Sequence, residues 1–593
     1  MNTSGGPSEV IAQACLGWHD RQPYAEAYQD IYHAKDGPLE VRRVFIEPSR
    51  LPDRARRQRE LLIGELGFGT GLNFAVAAEI CLKTGTRLHF VSFDAAPIGA
   101  ADFADLCTTR QHDQAIYSEL GELYPPLISG WHRRYLAQGR IILSLFWGDA
   151  ADGLEDIAER QLRPFDTWFL DGFAPDRNPD MWTPDLLARV GRLCAAGSSV
   201  ATFTAAGRVR RALEAAGFSM RRVDQRPHKR ESLAGVHRGN DRTPWATPAE
   251  VHVVGAGLAG ASAARHLAER GISVRVFEAQ TAGASRIPAM VLHPRLLADG
   301  SPEAALRSHA YLYSSAYCAG HVDTPATGAL QLPSKNANPQ RLEKIAERYT
   351  PSGEWLALLP AEIASAKAQW NIRTPALWFP DSRVIDTSAL CRALLEHPNI
   401  EASYETALVS LTHHPTVLAC GIECRRFSEA SYLEIAPVHG QVEVLRLTNP
   451  PTLPLLGNGY LVPRDNDLLV GTTYEYEPWD PVAATLANLV QLEASGRARQ
   501  WLSRARATRC VSSDRTPIAG RLYAADRTPV ANVYVSTGHG SMGTVFSHFA
   551  AALVAGQICG EFAPMTRTLE SAMSSERFRL RQARRGFRHS AEP

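Results

Sequence analysis

Two glycine-rich loops of different grammar, each at a strand-to-helix turn, constrain this chain more than any other feature. The first is ELGFGTGLNF at 65–74 and the second is VVGAGLAGAS at 253–262. Glycine lets a backbone turn tightly and approach a ligand closely. One such loop is an ambiguous sign. Two, in separate halves of one chain, predict two nucleotide-type sites and two cofactors. At 593 residues the chain exceeds what one hydrophobic core supports, which agrees with two domains or more.

From 60 to 240, short apolar runs alternate with helical patterns. ELLIGEL (60–66), RLHFVSFDA (87–95), IILSLFWGDA (141–150) and DTWFLDGF (166–173) read as strands. LNFAVAAEICLKTG (72–85) and TPDLLARVGRLCAAG (183–197) read as helices, the latter with proline inside a threonine cap. The alternation implies an α/β fold, a mostly parallel sheet with helices on both faces. The polar, proline-bearing stretch HRGNDRTPWATPAE (237–250) breaks the pattern. The domains are therefore expected at 1–240 and 251–593, joined by a linker at 241–250. From 300 to 500, strands and helices mix, as expected for an α+β substrate domain inserted into a nucleotide-binding domain.

Composition narrows the classes. Hydrophobic residues at 45% and charged residues at 21% fit a soluble globular protein, and a net charge of +1 excludes a polycation. Basic runs at 54–59, 221–230 and 577–589 suit a phosphate backbone, or simply a solvated surface. No CxxC pair occurs, and Cys420 and Cys424 have no histidines in finger-like spacing, so no metal is expected. No signal peptide is recognised, and no apolar run approaches the roughly 20 residues that span a bilayer. A cytoplasmic protein with reduced thiols and no membrane partner is the expectation.

In the first loop, Glu65, Gly67, Gly69 and Gly71 follow the first strand, where doubly wound sheets bind their ligands. Asn73 opens the helix that follows. Asp94 ends the next strand and can accept hydrogen bonds from ribose hydroxyls; Asp149, after a third, can meet an adenine amino group. Acids along this edge, with no GK[ST] element, disfavour a triphosphate. They suit a cationic cofactor without phosphates, S-adenosylmethionine, and so a class I methyltransferase. The competing reading is an NAD-type Rossmann domain, or a glycine turn with no ligand. DGFAP then places Asp171 where a transferred methyl group would point, with Phe173 and Pro175 as walls and Trp182 as a flat face. Asp171 has an alternative role as a cap for its loop.

In the second half, Gly255, Gly257 and Gly260 form GxGxxG between the strand VHVV and the helix AGASAARHLAER. Glu278 falls about twenty residues on, where an acid holds the ribose of a dinucleotide.

These strings carry a resemblance. PYAEAYQDIYHAKDG (23–37), ELGFGTGLNF, WFLDGFAPDRNPDMW (168–182), ATFTAAGRVRRALEAAGF (201–218) and KRESLAG (229–235) together resemble one family. It is the bifunctional bacterial enzymes that complete 5-methylaminomethyl-2-thiouridine at the tRNA wobble position. The resemblance implies an N-terminal methyltransferase fused to a C-terminal FAD-dependent oxidoreductase of the glycine and D-amino-acid oxidase type. It implies that the oxidoreductase removes the carboxymethyl group from 5-carboxymethylaminomethyl-2-thiouridine, and that the methyltransferase then methylates the primary amine. Asp171 is implied as the catalytic carboxylate, with Tyr28, Lys229 and Arg230 on the substrate. The partner is a tRNA with a modified wobble uridine; neither DNA nor an obligate protein partner is expected.

VYVSTGHGSMGTVFSHFAAALVAGQI (533–558) is similar to the closing segment of those oxidases, which implies FAD near Gly538, Gly540 and Gly543. TRCVSSDRTPIAG (508–520) resembles them too, and implies Arg509 as the holder of the substrate carboxylate, against a surface salt bridge as its plain alternative. HGQV (439–442) and GNGYLVP (457–463) either line that pocket or are ordinary strand and turn. One departure stands out. Where the family has glycine, asparagine and glycine after GAS (283–285), this chain has Arg286, Ile287 and Met290. A second reading is therefore an active methyltransferase with a non-redox second half. A third is a free amino-acid oxidase fused to a small-molecule methyltransferase.

Overall fold

The computed structural model describes residues 10–20, 22–110, 115–226, 231–239, 245–279, 283–321, 324–408, 410–464, 466–495 and 499–585. Lys229, Arg230, residues 241–244 of the expected linker and 586–589 of the basic tail run lie outside them. The chain divides into two units. The first comprises Met1–Ala246 with Gly560–Thr566, and the second Thr247–Cys559 with Arg567–Pro593. The sequence reading assigns 560–566 to the second half, and the structure puts them in the first.

The first unit is built on an eight-stranded sheet. Its centre is five parallel strands in spatial order Cys194–Thr202, Phe165–Leu170, Glu60–Leu66, Arg87–Asp94 and Ile141–Trp147. These strands are buried on both faces and read as continuous apolar runs, as parallel strands do. Antiparallel strands close both ends: Phe218–Asp224 with Glu231–His237 on one side, Gly130–Leu136 on the other. Chain order reverses at Glu60–Leu66, so the crevice opens at its carboxyl end. The helix expected over 183–197 stops at Arg192, and Cys194–Thr202 is a strand. There a parallel ladder with Phe165–Leu170 begins at Cys194 and resumes at Ser199, and the intervening Ala195–Ser198 form an irregularity in which Gly197 takes φ +86°.

The second unit holds a six-stranded sheet, in order Ile400–Tyr404, Ser273–Glu278, Glu250–Val254, Thr416–Leu418, Pro529–Thr537 and Ile518–Tyr523. All neighbours are parallel except the last pair. Helices Leu258–Ala268 and Gly543–Cys559 pack against it through an alanine- and valine-rich core. A separate eight-stranded sheet includes the long antiparallel pair Ile435–Leu447 and Arg499–Ser512. No helix among the described residues is long and apolar enough to cross a membrane.

Candidate functional site

In the first unit, a cavity of about 1110 Å³ opens at the switch point of the sheet. Its size suits a nucleoside-type cofactor together with a substrate end group. Gly67, with φ +90°, makes the turn; a Cβ there would lie 2.1 Å from the carbonyl oxygen of Asp171. Gly67 and Gly69 line the cavity, while Gly71 caps the helix Leu72–Thr84. Asn73, in the first turn of that helix, donates from Nδ2 to Asp171 Oδ2 at 2.6 Å. Asp94 accepts the backbone N–H groups of Gly69 at 2.9 Å and Ala96 at 3.0 Å. Burial nevertheless pushes its pKa up.

Glu65 does not line the cavity. It is fully buried beneath the loop, where Ser92 Oγ donates to Oε2 at 2.6 Å and Oε1 has no hydrogen-bond partner. Burial raises its pKa well above the ordinary carboxylate range, and Asp171 and Asp94 raise it further. Asp149 lines the cavity and caps the helix Ala150–Ile157, its Oδ1 accepting from Ala151 N–H at 2.7 Å.

Phe173 and Tyr28 form one aromatic wall, stacked with centroids 4.3 Å apart. Burial, then Asp94 and Asp180, raise the pKa of Tyr28. Pro175 and Trp182 correct the expectation, since neither lines the cavity. Trp182 is buried, packs on Phe203 and donates to the Phe173 carbonyl at 3.0 Å, so it supports the wall from behind. Sequence reasoning missed Tyr32, which meets Phe173 edge-on at 5.3 Å, and His33. Both fall inside the quoted PYAEAYQDIYHAKDG motif. Burial, with Arg110 donating at 2.8 Å, holds the His33 pKa at about 4, so the ring is neutral.

In the second unit, the backbone N–H of Ala256 donates to Glu278 Oε2 at 2.7 Å. The helix Leu258–Ala268 follows directly, and Ser285 Oγ accepts from Leu258 N–H at 3.0 Å. A Cβ on Gly260 would lie 1.8 Å from the Gly255 carbonyl oxygen, so only glycine lets helix and strand meet. Gly257 takes an extended conformation at the helix N-cap. This glycine cradle at a helix N-terminus fits the pyrophosphate end of FAD.

A smaller cavity of about 80 Å³ is lined by Arg509, Gly540, Ile287 and Met290. Gly538 turns the chain with φ +69°, and Gly543 starts the helix Gly543–Cys559; neither lines this cavity. Arg286 is exposed and Ile287 buried, its carbonyl accepting from Thr387 Oγ1 at 2.9 Å. Arg509 donates to Thr472 Oγ1 at 2.7 Å and to the carbonyls of His439 and Thr473, both at 3.4 Å. No acidic side chain among the described residues pairs with it, so the surface salt bridge is not formed. Burial lowers its pKa, but a guanidinium keeps its charge. Gly440 and Val442 of HGQV and Tyr460 of GNGYLVP line the same cavity. Unforeseen were His293 and Arg295, also in the lining. His293 is buried, its Nε2 lacks a partner, and burial with the nearby Arg295 holds its pKa at about 3.

Family models match the two halves separately. An S-adenosyl-L-methionine-dependent methyltransferase model matches residues 111–238, and an FAD dependent oxidoreductase model matches 250–557. The tRNA 5-methylaminomethyl-2-thiouridine biosynthesis bifunctional protein MnmC of Pseudomonas putida (strain W619) is 30% identical over 659 residues, covering 98% of this chain and 99% of that protein. Its counterpart in Pseudomonas aeruginosa (strain UCBPP-PA14) is 33% identical over 658 residues, covering 97% and 99%. Among solved structures, glycine oxidase from Geobacillus kaustophilus aligns with a TM-score of 0.45 at 19% identity, covering 54% of this chain and 97% of its own. With relatives of this identity spanning both halves, the chain belongs to the tRNA 5-methylaminomethyl-2-thiouridine biosynthesis bifunctional protein family, with an S-adenosyl-L-methionine-dependent methyltransferase domain and an FAD-dependent oxidoreductase domain.

Proposed function

We propose that this chain modifies the wobble uridine of tRNA in two steps, removing the carboxymethyl group from 5-carboxymethylaminomethyl-2-thiouridine and then methylating the amine left behind. The observation that carries the reading is the Asn73–Asp171 hydrogen bond inside a cavity edged by Asp94 and Asp149. We assign residues 1–240 to the methyl transfer and 251–593 to the oxidation. The fit of the cofactors rests on the Gly67 turn, which lines the larger cavity, and on the Gly255–Gly260 turn, where glycine lets a helix N-terminus meet its strand. Gly67, Gly69, Asp94 and Asp149 would hold S-adenosylmethionine, and Gly255, Gly257, Gly260 and Glu278 would hold FAD. Gly538, Gly540 and Gly543 would hold its flavin end. When bound, the first supplies an electrophilic methyl group and the second accepts a hydride.

The residues of the chain do the rest. An alkyl ammonium has a pKa of about 10 and cannot attack while protonated. Asp171, fixed by Asn73, orients the amine and accepts its proton. Tyr28 and Phe173 confine the base beside it. In the second unit, Arg509 has unpaired charge to offer a substrate carboxylate, and a carboxymethylated amine is an N-substituted glycine. Oxidation of that amine to an imine, followed by hydrolysis, releases glyoxylate. An inert second half gains no support from the comparisons, since the oxidoreductase model runs through 286–290. A cytoplasmic site of action is supported by ten cysteines that are all free.

The test is a visible spectrum before and after anaerobic addition of carboxymethylaminomethyl-modified tRNA, followed by labelled methyl transfer to the product. Flavin bands that bleach, then methyl incorporation, support both steps. Unbleached bands would refute the oxidation, and no incorporation into aminomethyl tRNA would refute the methylation.

A further inference from the structure

The rim of the smaller cavity bears a surface that binding of a carboxylate does not require. The strand Asp467–Gly471 continues into Thr472, Thr473, Tyr474, Glu475 and Tyr476. Glu475 exchanges backbone hydrogen bonds with His439, at 3.0 and 2.8 Å, so the segment is extended and its side chains alternate. The Glu475 carboxylate is buried, accepting from Thr473 Oγ1, from Trp479 N–H at 2.9 Å and from Arg506 Nη2 at 2.7 Å. Alternation sends Tyr474 and Tyr476 to the other side, where they are 37% and 64% exposed. Their rings meet edge to face at 5.6 Å.

Arg515 joins them from the segment that also carries Arg509. Its Nη2 donates to Tyr476 Oη at 3.1 Å, and its guanidinium lies 5.9 Å from the Tyr474 ring centre. Arg515 is exposed and has no ion pair among the described residues. Trp479 follows, 45% exposed. Of the nearby acids among the described residues, Glu475 is paired with Arg506, Asp514 with Arg577 and Arg581, and Asp480 caps the helix Pro481–Leu489, which leaves Glu477 unspent. Tyr474 also touches the inner site, since the Arg509 guanidinium lies 5.9 Å from its ring centre. Exposed rings beside an unpaired arginine are what unpaired nucleobases stack on, and their phosphates seek the charge.

We propose that Tyr474, Tyr476 and Arg515 form a stacking platform for the unpaired bases of an RNA loop, seated at the entrance to Arg509. The proposal rests on the reading of the second half as acting on tRNA. It explains how a base can be splayed from its loop so that its carboxymethyl group reaches Arg509.

The experiment uses the full chain and a fluorescein-labelled anticodon stem-loop, with a duplex of the same length as control, read by fluorescence anisotropy. Tyr476→Ala and Arg515→Gln should each weaken loop binding roughly tenfold, while Tyr476→Trp keeps it and duplex binding is unchanged. Arg515→Gln should also lower the salt dependence by about one released counterion. Loop affinities equal to wild type would overturn the platform, as would equal losses for loop and duplex. A change in self-association with unchanged loop affinity would make the surface a protein contact and overturn it too. A separate assay protects against confusion with the functional reading. Flavin bleaching by a small N-carboxymethyl amine should be the same in all variants, and its absence in wild type would fault that reading and not the platform.

Discussion

Asn73 holds Asp171 by a 2.6 Å hydrogen bond, and through it a helix N-terminus and a strand end share one carboxylate. Asn73→Ala removes the donor and frees Asp171 to rotate. A hydrogen bond to a charged group is worth about 1.5–3 kcal/mol, so methyl transfer should fall roughly ten- to a hundredfold. Asp171→Asn should cost more, about 10²–10⁴-fold, as loss of a general base does. Single-turnover methylation of aminomethyl tRNA measures both, and flavin bleaching in the same samples should not change.

Glu65 predicts an unusual pH dependence. Its folded-state pKa is raised, so its contribution to stability is full below its unfolded value and is lost as pH rises through the folded one. Glu65→Gln keeps the shape and an acceptor for Ser92 while removing the titration. Wild type and variant should melt alike at about pH 4, with the variant increasingly the more stable towards about pH 8. Differential scanning calorimetry across that range decides it; parallel curves would mean that Glu65 is not held neutral.

Gly260→Ala should separate the two halves. The new methyl group would sit 1.8 Å from the Gly255 carbonyl oxygen, a backbone atom that cannot swing aside. The purified variant should lose its flavin absorbance, while methylation of aminomethyl tRNA stays within about twofold of wild type, since sites that share no partners behave independently.

Arg509→Lys tests the carboxylate site. Lysine keeps the charge but not the fork that bonds Thr472 and two carbonyls at once. KM for the carboxymethyl substrate should rise roughly tenfold or more, because a bidentate charge-assisted contact is lost. An unchanged KM would assign the carboxylate to another side chain, with Arg295 the first alternative in the lining.

Much of this arrangement is legible in the chain. The parallel strands announce themselves as apolar runs because both faces are covered, and each glycine loop stands at a strand end for steric reasons that its neighbours confirm. The strand Gly130–Leu136 is not legible. GWHRRYL is polar, yet all seven residues are buried. Arg133 is satisfied by its cross-strand partner Ser144, Oγ at 2.8 Å, and by the carbonyl of Phe562 at 3.1 Å, a partner distant in sequence that no local pattern reveals. Trp182 was misplaced for a related reason. A flat ring near a site suggests a wall, but only the tertiary fold shows that its N–H is already committed to Phe173. His293 and Arg295 lie in a stretch with no recognisable motif, and the cavity exists only once distant strands meet them.

The short segment Gly560–Thr566 has a consequence for how the chain is made. Phe562 is fully buried in the core of the first unit, 4.5 Å from Trp131 and 5.8 Å from His89, with Arg133 over its ring at 5.2 Å. Gln161 accepts its backbone N–H, and Arg163 pairs with Glu561. The unit that begins the chain is thus finished by residues translated near its end. Synthesis reaches Phe562 only after most of the second unit's sequence, and a chain cut at the linker would leave the first unit with an open socket where Phe562 belongs.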